Sequence, residues 1–421
     1  VEAKVSQEKF VNFQMISCLL LGFILIGAIP VSFGVAQNWF IPLADGYRIS
    51  FFYAAEIIIF GAGLFFFPLR LDSSEEKLVF ISLLLIMLTR IISLLFASKV
   101  QIVQYISIAR YLEVGLAIFI ISNLVTNKKN FKCFIVGIFL GAMVESIGGI
   151  LKFTLSDGTV RGILVGIPSY QIQLYVFLIC VFLFSSSLRK KWLFTVPISI
   201  VLWGIVCTET RSAYLQLVLC ACLLLWWGWR AKKLKKILPI IFYSVLFLVA
   251  LSFTLNKTTK LPESRRIEQV AEGGGTVGWR FYLWDKSLGA FFQNPILGIG
   301  SGGFARQINE LPQVFNVKIN DFHKSIKLTS HNTVLGILAE TGIVGFFAYL
   351  IWFVAIFKLI LAIHKETPSD FFALAASLMV FIFLISDFWS QNSFYPNSNF
   401  LIALMIGRLK FRRNDKYMET I

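Results

Sequence analysis

Charged side chains are scarce in this chain, and histidine is scarcer still. Only 15% of the 421 residues are charged and three are histidine, against 57% hydrophobic and 15% aromatic, with a mean hydropathy of +0.76. A water-soluble domain cannot hide that much apolar surface in its core, so a soluble enzyme is excluded. The six cysteines, at positions 18, 133, 180, 207, 220 and 222, all fall in apolar runs without a CxxC pair. They read as small buried hydrophobes, and neither a disulfide framework nor a thiolate metal site is expected. Internal repeats and low-complexity tracts are also lacking, which counts against the two-halved build of many transporters.

What the chain has instead is long apolar runs. About twelve of them, each long enough to span a bilayer, are centred near residues 24, 59, 87, 113, 143, 175, 199, 220, 246, 350, 379 and 404. Lipid obliges each to satisfy its own backbone hydrogen bonds as a helix. The expected fold class is an all-α polytopic membrane protein with one large extracytoplasmic loop that is partly helical. The net charge of +16 would suit nucleic acid if it were clustered, but it is dispersed over alternate loops. Lys4 and Lys9, Arg70 and Lys77, Lys128, Lys129 and Lys132, Arg189 to Lys191, Arg230 to Lys236, Lys365, and Arg408 to Lys416 mark every second connection. By the positive-inside rule both termini are cytoplasmic, and no nucleic-acid partner is expected. The resulting division is nine spans in 1–256, a large external loop in 257–331, three spans in 332–411 and a cytoplasmic tail in 412–421. A cleavable signal peptide is not expected, because the first run is long and further spans follow.

Charges inside spans are costly and so invite a functional reading beside a structural one. Arg110 and Glu113 lie three apart on one helix face and are expected to pair. Glu56, Arg90 and Glu145 are further candidates for intramembrane pairs, while Lys358 can snorkel to the surface. Two glycine-rich stretches imitate nucleotide loops. GIGSGG at 298–303 fits GxGxxG but follows no strand, and GGGTVGWR at 273–280 lacks the GK[ST] ending. The latter is expected to be a hinge before a helix in WRFYLWDKSLGAFF. The external segments show no DxD, no HExxH and no histidine pair at helical spacing, so chemistry there is expected to need neither metal nor cofactor.

What remains on that face is arginine, histidine and asparagine. Arg211 stands at the outer end of a span in TETRSAYLQLVL, where Thr210 or Ser212 can cap the following helix. Arg280 lies among aromatics in VGWRFYLW, and Arg161 just ahead of another span in GTVRGILVGIPSY. Singly, each is more often an interfacial anchor. Three that converge with a histidine suit an anionic ligand, because guanidinium binds phosphate bidentately and keeps its charge. The histidine is His331, which opens the apolar run HNTVLGILAETGIVG together with Asn332.

TRSA at 210–213, WRFYLW with NPILGIGSGGF at 279–304, and HNTVLGILAETGIVG at 331–345 resemble the O-antigen ligase and O-antigen polymerase superfamily, polytopic bacterial glycosyltransferases with a GT-C type fold. The last segment is similar to the ligase pattern of His, then Asn, Ser or Gln, nine residues, and Gly-x-x-Gly, through His331, Asn332, Gly342 and Gly345. The first departs mildly, with Ala213 where the family often has glycine. The resemblance implies a glycan donor linked to undecaprenyl pyrophosphate, an acceptor hydroxyl on the periplasmic face of the inner membrane, and metal-independent inversion. It assigns His331 as catalytic base and Arg211, Arg280 and Arg161 to the donor pyrophosphate, with Asn332 orienting the acceptor or the ring. Glu340 is either a partner for an arginine or a supporting residue. Gly342 and Gly345 are expected to let helices approach, with Gly342 permitting a break. Ligation to lipid A-core, polymerisation of a growing glycan and protein O-glycosylation all remain open within the resemblance. A transporter or flippase is the reading of another class.

Overall fold

The computed structural model describes residues 73–97, 102–125, 128–155, 211–230, 275–317, 330–366 and 402–410, with short pieces at 14–71, 175–205, 234–246 and 374–382. Helices dominate. A small antiparallel ribbon, β1 (Phe40–Pro42) with β2 (Arg48–Ser50), pairs Ile41 with Ile49. It departs locally from the all-helical expectation.

The first well-described helix, α1, runs Ser74–Leu95. Ser73 caps it by accepting the Glu76 N–H at 3.1 Å, and Glu75 and Glu76 place negative charge on its first turn. One face carries Ile81, Leu84, Leu88, Ile91 and Leu95, all exposed, while Val79, Ser82, Ile86, Arg90 and Ser93 are buried. Apolar side chains outward with serine and arginine inward is the arrangement suited to lipid rather than water. Ser82 and Thr89 donate to the carbonyls of Val79 and Ile86 on their own helix, so their hydroxyls cost nothing extra when buried. Helix α2 (Ile102–Leu124) packs against α1; α3 (Lys128–Leu155) and α4 (Arg211–Arg230) follow in the chain.

The segment expected to be external contains α5 (Gly275–Gln293), a turn, and a short α6 (Gly303–Gln307). It has its own small core of Trp279, Leu283, Ala290, Ile299, Phe304, Ile308 and Leu311, closed by Ala339. Ala339 belongs to α7 (Thr333–Glu366), a helix that continues into the main apolar core through Trp352, Ile356, Leu359 and Ile363. Helices α1 and α7 lie along one another, and both are long and apolar enough to cross a membrane. Their lipid-type stripes match, since Val344, Phe347, Ile351, Val354 and Leu361 of α7 are exposed as well.

At the end of the bundle opposite Arg90, Lys410 of helical residues 402–410 meets Glu76 at 2.7 Å and donates to Asn123 at 3.0 Å. This buried pair ties the start of α1 to the end of α2. The spans centred near 24, 59, 175, 199, 246 and 379 fall wholly or mostly outside the described residues.

Candidate functional site

The site is organised by a break in α7. Gly342 has φ 64° and ψ −160° inside an otherwise continuous helix, a conformation that disfavours any residue with a Cβ. Breaking a helix strands carbonyls before the kink and amides after it, and buried backbone groups must find partners. The turn after α5 supplies them. Ile299 and Gly300 N–H donate to the carbonyls of Ala339 and Glu340 at 2.9 and 3.0 Å, and Ile343 and Val344 N–H donate to Pro295 and Ile296 at 2.8 and 3.4 Å. NPILGIGSGG is therefore a backbone plug for a broken helix.

The expectation that Gly342 and Gly345 bring helices together needs correcting. What approaches Gly342 is the turn: a Cβ there would lie 2.3 Å from the Ile296 carbonyl oxygen. Gly345 faces Thr341 of its own helix, whose Oγ1 would be 1.8 Å from an added Cβ. The hinge expected at 273–280 also differs, because α5 already begins at Gly275. Gly278 is buried there, and packing outweighs the roughly 1 kcal/mol helix penalty of a glycine.

Length sharpens the meaning of the break. Residues 343–366 alone rise about 36 Å at 1.5 Å each, enough for a ~30 Å hydrocarbon core. The segment 333–341 is thus surplus to a crossing, and it carries His331 at its tip. Asn332 caps this segment by accepting the Leu335 N–H on Oδ1 at 2.9 Å, and the Ser330 hydroxyl donates to the Asn332 carbonyl at 2.7 Å. Asn332 is buried, and its side-chain oxygen is committed to the helix start. The chain enters the cap through His331 at φ 51°, an uncommon left-handed conformation for a residue with a Cβ. The cap thereby fixes where the half-buried imidazole stands.

Arg280 is presented by α5, one residue after the buried Trp279, whose ring stacks on Tyr282 at 5.1 Å. It is half-buried, and burial lowers its pKa. Its charge reaches His331. Burial first and the Arg280 guanidinium second push the imidazole below its usual value of 6.5, and the positive end of α7 acts in the same sense. Arg280 and His331, 51 positions apart, are therefore brought into one electrostatic neighbourhood.

Glu340 has taken an arginine partner, and it is Arg90. Nη1 of Arg90 lies 2.9 Å from Glu340 Oε2 and 2.8 Å from Ser301 Oγ, with the guanidinium 4.4 Å from the Tyr111 ring centroid. Ser93 Oγ adds a hydrogen bond to the Glu340 carbonyl at 2.5 Å. Ser301, Ser93 and Tyr111 carry no local sequence signal that would have singled them out.

Asp285 is likewise committed. Its Oδ1 accepts from Val314 and Phe315 N–H at 2.7 and 2.8 Å, and its Oδ2 from Val317 N–H at 3.3 Å. Next to it, Lys286 donates to the Leu311 carbonyl, with its pKa lowered by burial and partly restored by Asp285. Among the described residues no group of three or more His, Cys, Asp and Glu is placed to hold a metal ion. Arg211 opens α4, but its side chain, like those of Arg110, Glu113 and Glu145, is outside the described residues. So are Arg161, Glu56, His323 and Asp321.

Residues 196–350 match the family model described as O-antigen ligase. The matched stretch contains α4, α5, the plug turn, His331 and the break in α7. No curated protein matches the chain.

Proposed function

We propose that the chain, whose residues 196–350 match the O-antigen ligase family model, is a membrane glycosyltransferase of the O-antigen ligase and polymerase type that moves a glycan from undecaprenyl pyrophosphate to an acceptor hydroxyl on the periplasmic face of the bacterial inner membrane. The acceptor we favour is lipid A-core. The observation that carries this reading is a half-buried His331, set at the capped start of α7 and within reach of the Arg280 charge.

A base must be neutral to accept a proton, and the two causes acting on His331 keep it neutral at pH 7. In the proposed step the acceptor oxygen bonds to the anomeric carbon as its proton passes to His331. The bond from that carbon to the pyrophosphate oxygen breaks, and its electron pair leaves on the phosphate. Arg280, with Arg211 and Arg161, stabilises the charge that develops there, as a fixed donor set does for an oxyanion. Direct displacement gives inversion without a covalent enzyme intermediate. Within this reading about twelve spans place the termini in the cytoplasm and 257–331 outside, in a GT-C type arrangement. Nucleotide sugars are not available outside the cytoplasm, which is why a carrier-linked donor suits that face.

The test is transfer by purified protein in nanodiscs given carrier-linked glycan and lipid A-core, read as a mass increase of the acceptor without any ion gradient. Transfer to lipid A-core supports the reading. Elongation of the carrier-linked glycan itself would make the protein a polymerase. No mass change in any acceptor, with vectorial movement of the carrier instead, would make it a flippase.

A further inference from the structure

Arg90 does more than hold α1 against α7. A single nitrogen, Nη1, contacts Ser301 in the plug turn and Glu340 just before the break. The Glu340 carbonyl in turn accepts from Gly300 N–H of the same turn and from Ser93 Oγ of α1. Helix α1 thus grips both sides of the interlock at the point where α5 and the first segment of α7 are joined.

Two levers leave that point. Glu340 to His331 is nine residues, about 13 Å along a helix, and the turn at Asn294 back to Arg280 is fourteen residues, about 21 Å. A tilt of only a few degrees at the clamp moves either tip by about 1 Å, and a misplacement of that size can cost about 10²-fold in rate. Resting on the reading of His331 as the base, we propose that Arg90 is a positioning residue for glycan transfer: through Ser301 and Glu340 it fixes the separation of Arg280 and His331.

A pair that only stabilised the bundle would behave otherwise, because a buried ion pair can be replaced by apolar residues of similar volume with little or no loss of stability. The charged groups around the imidazole are consistent with this division of labour. Arg280 of α5 acts on His331 directly, whereas Glu340 on α7's own first segment is engaged by Arg90 of α1.

The experiment compares the parent, Arg90→Lys and the double variant Arg90→Met/Glu340→Leu, each full-length in nanodiscs with carrier-linked glycan and lipid A-core. Thermal midpoint, KM for donor, kcat and the acidic limb of the pH profile are measured. The expected double variant melts close to the parent and keeps its KM within a few fold, yet loses about 10²-fold in kcat. Its acidic limb also moves upward, because the Arg280 charge is no longer kept at its set distance from His331. Arg90→Lys retains most of kcat, since an ammonium can meet both acceptors. A double variant with parental kcat and limb overturns the proposal. Should that double fail to fold, Ser301→Ala removes the Arg90 hydrogen bond to the plug turn, and unchanged kcat and limb there overturn it equally. His331→Ala at the parental rate would sink the base assignment itself, and this inference with it.

Discussion

Gly298 and Gly342 each lie against the backbone that the other's segment presents. A Cβ on Gly298 would stand 2.3 Å from the Glu340 carbonyl carbon, and one on Gly342 2.3 Å from the Ile296 carbonyl oxygen. Both glycines also hold positive φ, 67° and 64°. Neither clash is relieved by turning a side chain, because the atoms met are main chain.

Gly298→Ala and Gly342→Ala are therefore each expected to cost at least the roughly 1–3 kcal/mol of a strained backbone, with the steric displacement added. Gly303→Ala is the control: its Cβ meets nothing closer than 3.5 Å. Thermal melting in detergent should show two lowered midpoints and one unchanged. Gly342→Ala with the parental midpoint and transfer rate would mean the plug is not required.

The Asp285 carboxylate is expected to order the segment after α6. Accepting from three backbone amides, it makes hydrogen bonds to a charged group, worth about 1.5–3 kcal/mol each, though not additively. Asp285→Asn keeps one acceptor oxygen and places an amide donor against an N–H. Hydrogen exchange should then quicken at Val314, Phe315 and Val317 well beyond any change in α1. Parental protection at those amides would leave the carboxylate without this role.

How much of this was legible follows from the range of each interaction. The runs that became α1 and α7 were readable because a membrane span is a local property of composition. A break at Gly342 was readable as one of two roles, beside close helix approach, since glycine alone tolerates the backbone that a break requires. Its filling by NPILGIGSGG was not, because hydrogen bonding between residues 40 to 48 positions apart leaves no spacing in the chain. Arg90 and Glu340 illustrate the same limit at 250 positions, where helix periodicity could offer only Arg110 with Glu113. Asn332 was readable in part. An asparagine before Thr-Val-Leu is a helix-start signal, and in the structure that signal accounts for its side chain. His331 and Arg280 were singled out by residue type and resemblance, but what they share, a charge acting on a half-buried imidazole, is tertiary.

The arginines are expected to act on the donor without help from a divalent ion. Arg211→Ala and Arg280→Ala should each lower turnover more than the lysine variants, because lysine keeps the charge but not the bidentate fork. Membrane insertion should be unchanged and transfer should persist in excess EDTA. Full activity in both alanine variants would remove the proposed anion site. Activity lost in EDTA and restored by a divalent ion would require carboxylates beyond Asp285, whose oxygens are already engaged.

His331 carries the last prediction, and its sign is fixed by its surroundings. Burial and the Arg280 charge lower its pKa, so the neutral, base-competent form persists below the usual 6.5. Turnover should be flat near neutral pH and fall only as the pH drops through the lowered value. The same shift bears on stability: this group costs nothing above about 6.5, where neither folded nor unfolded chain is protonated. Between that pH and the folded value the unfolded chain takes up the proton first, and the protein loses stability as the pH falls. Arg280→Gln removes the smaller of the two causes, so the acidic limb should move upward without reaching the ordinary value. Arg280→Lys keeps the charge and should leave the limb in place while turnover falls. Single-turnover transfer at saturating donor across pH 4.5 to 8 reads both variants, and His331→Ala should lie about 10² to 10⁴ below the parent with the limb abolished. Equal displacement of the limb by glutamine and lysine would show that position 280 does not act through its charge. A parental limb in His331→Ala would assign the base to another residue.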